Sequence, residues 1–172
     1  MDEPKGQEGN TDVKQLISFT VGGEQYGLEL LQVREVIRMR QITWLPQAPP
    51  CVRGIINLRG DVIPIVDLRE RFGLQAQEQT AMTRVIVVEV KGEPVGVVVD
   101  SASQVARVPA DQFDPPPTVM GEGARDFVTA VGKMGDRLII MIDVDRILSA
   151  EEMSQIAGSL QTVEKEPALS MS

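Results

Sequence analysis

Short β-branched runs joined by glycine-containing turns are the feature that most limits the fold of this sequence. Within residues 44–74, the apolar runs 55–56 and 62–65 are joined by Arg59-Gly60-Asp61. Glycine and aspartate at so short a connection are typical of a tight hairpin turn, so two antiparallel strands are predicted here. The same pattern recurs at three other places, namely residues 22–23, 91–94 and 134–136.

The apolar runs are hydrophobic on both faces, which sets the number of layers. Residues 85–88, 97–99 and 138–142 contain almost no polar side chain, although their tight turns make them antiparallel. A solitary antiparallel sheet keeps one face in water, so burial of both faces needs a second layer. The sequence therefore predicts an all-β protein with short helices, built as two small barrels packed together or as a sandwich.

Two sequence patterns predict structure around the third strand. Leu30, Val33 and Ile37 fall at helical spacing, which indicates a helix of two turns. Residues 38–44 are then predicted to form a strand.

Capping signals mark two further helices and help to divide the chain. Asp67 with Glu70 predicts the start of a short helix, and Ser149 with Glu152 predicts a helix that runs to about Leu160. Residues 1–13 are acidic and without period, which indicates disorder. The resulting division is a disordered segment over residues 1–13, one domain over 14–160 and a flexible tail over 161–172.

Charge and composition exclude several functions. The net charge is −8 and only six residues are aromatic, which disfavours nucleic acid and anionic membranes as partners. The apolar runs are too short to cross a membrane, and the N-terminus lacks the apolar core of a signal peptide. Cys51 is the single cysteine, so no disulfide can form within the chain. A cytoplasmic protein without direct membrane insertion is expected.

The chemistry of common active sites is missing from the sequence. Histidine is absent, which removes the commonest general base and metal ligand, and no phosphate-binding loop is present. We therefore expect no metal, no cofactor and no enzymatic activity. A small enzyme or ligand-binding barrel that uses Asp and Glu carboxylates remains the alternative from another class, because such groups meet only in the fold.

Several motifs together resemble the CheW family of bacterial chemotaxis coupling proteins. These are Tyr26-Gly27, the run VREVI at residues 33–37, and Leu45-Pro46 with Ala48-Pro49. The longest are VRGIINLRGDVIPIVDLRERFG, beginning at Val52, and GVVVDSASQVARV, beginning at Gly96. The similarity covers about residues 16–155. Within it, Gly-x-x-Asn-Leu-Arg-Gly followed by Ile-Val-Asp-Leu is the most specific element.

The resemblance implies a fold and two partners. The fold is two intertwined five-stranded SH3-like barrels with a groove between them. The groove takes the cytoplasmic tip of a chemoreceptor, and separate faces bind the regulatory domain of the histidine kinase CheA. The adaptor would be recruited to membrane-associated chemoreceptor arrays. A coupler in a chemosensory pathway unrelated to motility is the alternative within this class.

The resemblance also implies which residues face the receptor. By motif position they are Val33 and Glu35 in the predicted helix, Gly54 and Arg59 in the hairpin, and Val105 in a later strand. From spacing alone, Arg59 is either a solvated turn residue or a contact for a partner. The resemblance favours an ion pair of Arg59 with Glu35 or with the receptor. Kinase-binding residues do not carry over, and the loop over residues 114–123 is only a candidate.

Overall fold

The computed structural model describes residues 12–75, 78–117 and 126–170, with side chains described except at residues 104 and 161–170. Within these residues, eleven strands and two α-helices follow one another along the chain. The strands are β1 (Val13–Val21), β2 (Glu24–Glu29), β3 (Val33–Arg38), β4 (Val52–Leu58), β5 (Asp61–Asp67), β6 (Arg84–Val90), β7 (Glu93–Val99), β8 (Ser101–Pro109), β9 (Phe113–Asp114), β10 (Val128–Met134) and β11 (Arg137–Ile142). The helices are α1 (Leu68–Arg71) and α2 (Ala150–Ser170).

The strands form two sheets that interlock along the chain. The terminal sheet has the order β8-β1-β2-β11-β10-β9, and the central sheet has the order β3-β6-β7-β5-β4. The central sheet is one continuous segment inserted between β2 and β8, whereas the terminal sheet uses both ends of the chain. Neighbouring strands are antiparallel except for the parallel pairs β2–β11 and β5–β7. The predicted all-β class with two interlocked sheets is confirmed, and the short strand β9 makes the terminal sheet six-stranded.

The central sheet curls so that its two edge strands approach each other. After β3 ends, the chain crosses to β4, where Thr43 and Ile55 exchange two backbone hydrogen bonds of 2.8 Å. Arg40 Nη1 also donates to the carbonyl oxygen of Asn57 on β4, at 3.1 Å. The edges β3 and β4 are thus bridged by the segment between them, which limits exposure of unpaired strand edges.

A shared apolar core joins the two sheets. It receives buried side chains from both sheets and from the C-terminal segment, including Phe19, Leu28, Val66, Ile86, Val97, Ile142, Leu148 and Ile156. Smaller clusters fill the interior of each sheet separately, one around Ile65 in the central sheet and one around Leu16 in the terminal sheet. Successive residues such as Val97 and Val98 therefore face the shared core and the interior of their own sheet in turn, so both faces of these strands are buried.

Four aromatic rings form a row across the junction between the sheets. Tyr26 on β2 lies between Phe19 on β1, with centroids 5.9 Å apart, and Phe72 after α1, at 4.9 Å. Phe72 in turn stacks on Phe127 at 4.9 Å. Phe72 is the one member of the row from the segment following the central strand β5. It therefore docks α1 onto the terminal sheet.

The helix predicted from Leu30, Val33 and Ile37 is wrong. Only a 3-10 turn, Leu30–Gln32, is present, and Val33 then begins strand β3. Exposure alternates along β3, and the strand pairs with β6 from Val33–Val88 to Arg38–Arg84. β-Branched residues fit a pleated surface well, and the neighbouring strand overrides a weak helical spacing. Val33 and Glu35 consequently lie on a strand.

The strand predicted over residues 38–44 is also wrong. β3 ends at Arg38, and beyond it only Thr43 makes a bridge to a strand. The segment passes from one edge of the central sheet to the other, so it cannot follow a single neighbouring strand for long.

The hairpins and capping signals agree with the sequence. The turns lie at Gly22-Gly23, Arg59-Gly60, Lys91-Gly92 and Gly135-Asp136. The Asp67 carboxylate accepts the N–H of Arg69 at 3.0 Å and starts α1. Ser149 and Glu152 form the reciprocal capping box, at 2.9 and 3.0 Å.

The ends and one loop differ from expectation or lie outside the described residues. Strand β1 begins at Val13, inside the segment predicted to be disordered, while residues 1–11 are not described. Helix α2 extends to Ser170 rather than stopping near Leu160, and flexibility of residues 161–172 stays a prediction. Of the candidate loop 114–123, Asp114 belongs to β9 and residues 118–123 are not described. In the described parts of the chain, no helix is both long and apolar enough to span a membrane.

Candidate functional site

The turn between β4 and β5 places a charged side chain at a fixed position. Arg59 and Gly60 both have positive φ, 53° and 93°. Positive φ at both central residues is typical of the two-residue hairpin turn that matches the twist of antiparallel strands. Asn57 Oδ1 accepts the N–H of Gly60 at 2.9 Å and holds the turn. Arg59 therefore extends from a rigid base.

Arg59 forms an ion pair with Glu35. Its guanidinium Nη2 donates to Oε2 of Glu35, which lies on β3. The Arg59 side chain is 68% exposed and that of Glu35 is 31% exposed. The hydrogen bond that the guanidinium donates to the Glu35 carboxylate raises the pKa of Arg59 above its ordinary value. The expected pairing of these two residues is confirmed, and it joins β3 to the turn that follows β4.

Val33 precedes Glu35 by two residues on β3, but a β-bulge separates them. Val33 pairs with Val88 and Glu35 pairs with Val87, so the two side chains lie on opposite faces of the central sheet. Val33 is half-buried and packs against the core shared by the two sheets. Val36 pairs with Ile86, so it shares the face of Val33, and it is 38% exposed. The charged pair and these two apolar side chains thus lie on opposite faces of the same edge strand.

Gly54 is buried, and its own chain covers it. Its φ is 150°, and a β-carbon there would collide with the carbonyl oxygen of Thr43 and lie 2.7 Å from Cγ2 of Ile42. Both the backbone conformation and the close approach therefore require glycine. The group beside its bare backbone is Thr43, on the segment that bridges β3 and β4. Its assignment to the receptor surface stays a prediction.

Val105 lies apart from the other four residues. It is on β8 of the terminal sheet, opposite Ile17, and is 48% exposed. The structure thus brings Glu35 and Arg59 into contact, places Val33 on the opposite face of β3, and leaves Val105 in the other sheet.

The three most exposed large apolar side chains of the described residues were not predicted from the sequence to be exposed. Leu31 is 97% exposed, Trp44 is 73% exposed and Leu138 is 60% exposed. Single exposed apolar side chains are common on protein surfaces, and only a contiguous patch of them indicates a binding site. The exposure of Leu31 could have been predicted, because Leu31 does not belong to the apolar set Leu30, Val33 and Ile37. Leu138 carried no such signal, because it lies within an apolar run.

Cys51 is part of the interior. Burial raises the pKa of its thiol to about 11, and the nearby Glu152 carboxylate acts in the same direction. A thiol with so high a pKa carries almost no thiolate at neutral pH. Its interpretation as a small buried apolar residue is confirmed, since it is 6% exposed within the shared core.

A groove of about 380 Å³ separates α2 from β5 and the β6–β7 hairpin. Its walls are mostly apolar and include Val62, Pro64, Pro94, Met153, Ile156 and Leu160. None of the five predicted receptor residues lines it. Within the described residues, no three His, Cys, Asp or Glu side chains cluster as metal ligands would.

The two interlocked sheets define the class, an all-β domain that carries an exposed ion pair on a rigid turn. Residues 15–152 match the family model described as the CheW-like domain. The chain belongs to this family.

Individual relatives agree over most of their length. The chain is 36% identical to chemotaxis protein CheW of Klebsiella aerogenes, over 86% of this chain and 89% of the relative. It is 33% identical to chemotaxis protein CheW of Helicobacter pylori, over 84% and 87%. The scaffolding protein TtCheW from Thermoanaerobacter tengcongensis superposes with a TM-score of 0.75 at 33% identity, over 82% of this chain and 96% of that one.

These findings confirm the SH3-like fold and the class of chemotaxis coupling adaptors expected from the sequence.

Proposed function

We propose that the protein couples the cytoplasmic tips of transmembrane chemoreceptors, the methyl-accepting chemotaxis proteins, to the histidine kinase CheA. The observation that carries this proposal is the exposed pair of Glu35 and Arg59 where the edges of the central sheet meet. The names of the relatives, chemotaxis protein and scaffolding protein, support it.

The receptor-binding residues in this proposal are Val33, Glu35, Gly54, Arg59 and Val105. Glu35 and Arg59 supply paired charges that a polar receptor helix can join or exchange. The exposed Val105 supplies apolar contact from the other sheet, while Gly54 lets the segment through Thr43 close against β4. The regulatory domain of CheA binds elsewhere on the surface, so the two partners do not compete.

The proposed mechanism is geometric and needs no catalysis by this chain. An adaptor that binds two kinase states with different affinity shifts the population between them when the receptor moves. Individually weak contacts suffice because an array repeats them, and repetition raises the effective concentration of each site. The protein works in the cytoplasm and is recruited to membrane-associated receptor arrays.

The test is binding of each partner separately to the purified full chain. A receptor cytoplasmic fragment and the CheA regulatory domain are titrated in turn, by calorimetry or by surface capture. Arg59→Glu should weaken receptor binding and leave kinase binding unchanged.

The matched control is Arg34→Glu. Arg34 is another exposed arginine of β3 that pairs with a carboxylate, but its Nε donates to Glu89 on β6, at 2.8 Å, and not to Glu35. It should leave receptor binding intact. Equal losses from both variants, or loss of kinase binding from Arg59→Glu, would overturn the assignment. ATP turnover that follows the purified protein would overturn the proposal of an adaptor without catalysis.

A further inference from the structure

The chain crosses between the two sheets at two places, and the crossings are built differently. The first is the 3-10 turn Leu30–Gln32, which separates β2 from β3. The second is a single residue, Asp100, between the end of β7 and the start of β8. Hinges in proteins are a few residues at the ends of elements that absorb changes in φ and ψ. A one-residue crossing is such a place, so contacts of Asp100 bear directly on the angle between the sheets.

Asp100 is tied to the terminal sheet by two hydrogen bonds. Its backbone N–H donates to the carbonyl oxygen of Thr20 at 2.9 Å. Its carboxylate Oδ2 accepts the N–H of Gly22 at 2.8 Å, in the turn between β1 and β2. The hydroxyls of Thr20 and Ser101 lie 2.7 Å apart beside these bonds. The crossing residue is therefore fixed to the β1–β2 hairpin.

The other carboxylate oxygen of Asp100 reaches the central sheet. Oδ1 lies 3.3 Å from Nη1 of Arg69 on α1. Arg69 Nε lies 3.3 Å from Oδ1 of Asp67, and Oδ2 of Asp67 lies 2.8 Å from Nη1 of Arg53 on β4. A continuous line of charged contacts thus runs from the β1–β2 turn through the crossing into the central sheet.

Burial of the Arg69 side chain in this interior is energetically unfavourable. Its side chain is 2% exposed, and within the described residues its Nη2 is buried without a hydrogen-bond partner. An unsatisfied buried donor is unfavourable, and a buried ion pair is often no more stable than apolar side chains of the same volume. The shared apolar core already holds the sheets together, but apolar attraction is not directional. Directional contacts at the crossing are what fix an angle.

We propose that the contact between Arg69 and Asp100 is an orientation latch. It holds the terminal and central sheets at one angle, and its loss lets them rock about Asp100 while each sheet stays folded. The latch is a property of the chain alone and does not depend on the identity of its partners.

The experiment measures distances between spin labels on the full chain in solution. Labels on Gln15→Cys in the terminal sheet and Arg38→Cys in the central sheet, both exposed positions, report the distance between the sheets. Labels on Gln15→Cys and Arg137→Cys, both in the terminal sheet, provide the reference within one sheet. All chains carry Cys51→Ala so that no other thiol is labelled.

Three variants are compared with the parent. Arg69→Met and Asp100→Asn each remove one charge of the latch. Arg71→Met is the matched control, because Arg71 lies on the same helix and pairs with Glu152 at 3.2 Å rather than with the crossing. Circular dichroism establishes that each variant is folded.

The expected result is a shifted and broadened distribution between the sheets in both latch variants, with the distribution within the terminal sheet unchanged. Arg71→Met should match the parent in both distances. If Arg69→Met fails to fold, Asp100→Asn decides alone. A folded Asp100→Asn variant with the parent's distribution would overturn the latch, as would equal broadening between and within the sheets.

Discussion

Arg59 and Arg69 lie at the two ends of strand β5, and their ion pairs differ in burial and in energetic consequence. Arg59 precedes the strand, is 68% exposed and pairs with one partly exposed carboxylate. Arg69 follows the strand, is 2% exposed and contacts two carboxylates, those of Asp67 and Asp100. Water screens the first pair, so it adds little to stability and can exchange its partner. The contacts of Arg69 lie in the interior, where removal of one partner leaves a buried charge unpaired.

The largest effect on stability is expected from Asp67→Ala. The Asp67 side chain is fully buried and accepts hydrogen bonds from Arg53 and from the backbone N–H of Arg69. Its removal leaves the positive charges of Arg53 and Arg69 without this carboxylate, which lowers the unfolding free energy by about 3–5 kcal/mol. Urea unfolding followed by circular dichroism measures the loss.

Asp114→Ala provides the exposed counterpart. Asp114 pairs with Lys133 at 3.0 Å, and both side chains are more than half exposed. Little change in the urea midpoint is expected there. If the two variants lose the same stability, burial does not distinguish the two kinds of pair.

Gly54→Ala tests whether this glycine is needed for the stability of the fold or for the binding of a partner. We expect a loss on the order of 2 kcal/mol, because alanine at a φ of 150° is strained and its β-carbon meets Thr43. Thermal unfolding measures it.

Gly135→Ala separates the two causes of that loss. Gly135 also has a positive φ, 63°, but nothing lies within 4 Å of an added β-carbon. It should therefore lose less stability than Gly54→Ala. An unchanged midpoint for Gly54→Ala, together with lost receptor binding, would instead place Gly54 on the partner surface.

Arg59→Glu and Glu35→Arg should leave the thermal midpoint almost unmoved. Each reverses one charge of an exposed pair, so the fold loses little, while receptor affinity should fall on the order of tenfold or more. Titration with a receptor fragment, beside a melting curve, measures both properties.

The double exchange, Arg59→Glu with Glu35→Arg, sharpens this test. Partial recovery of receptor binding is expected if the pair acts as a unit. Binding no better than in the weaker single variant would mean that each residue contacts the receptor independently.

Ionisation of the Cys51 thiol should not affect stability at neutral pH and should reduce it only in alkaline solution. Its thiol pKa is raised by burial to about 11 from an ordinary value of 9.0, so the folded state favours the protonated form. Its contribution is complete below pH 9 and is lost as the pH rises toward 11. The stability difference between the parent and Cys51→Ala should shrink over that interval. Rapid alkylation of the folded protein at pH 8 would contradict the raised pKa.

The sequence predicted those parts of the fold that depend on neighbouring residues. Arg59-Gly60 and Lys91-Gly92 are turns because glycine tolerates positive φ, and the Ser149–Glu152 capping box is a contact across three residues. The pattern failed where a distant strand decides. Val33 joins a strand because β6, more than fifty positions away in the chain, pairs with it.

The candidate site was likewise predicted only in part. The pairing of Glu35 with Arg59 followed from the family resemblance, not from any local pattern. Arg69 was not singled out from the sequence, because its partner Asp100 lies 31 positions away. Nothing in the spacing of residues records that two such positions meet, so the buried line of charges was visible only in three dimensions.

The insertion of the central sheet has a consequence for how the chain acquires its structure. That sheet is complete once residue 99 has been synthesised, whereas Tyr26 on β2 must wait for Ile140 on β11. Contacts between distant positions form slowly, because loop closure costs entropy before any contact forms. The strands of the central sheet can therefore all pair before the terminal sheet is complete. The face that includes Val66 and Val97 gains its full cover only when the last hairpin is present.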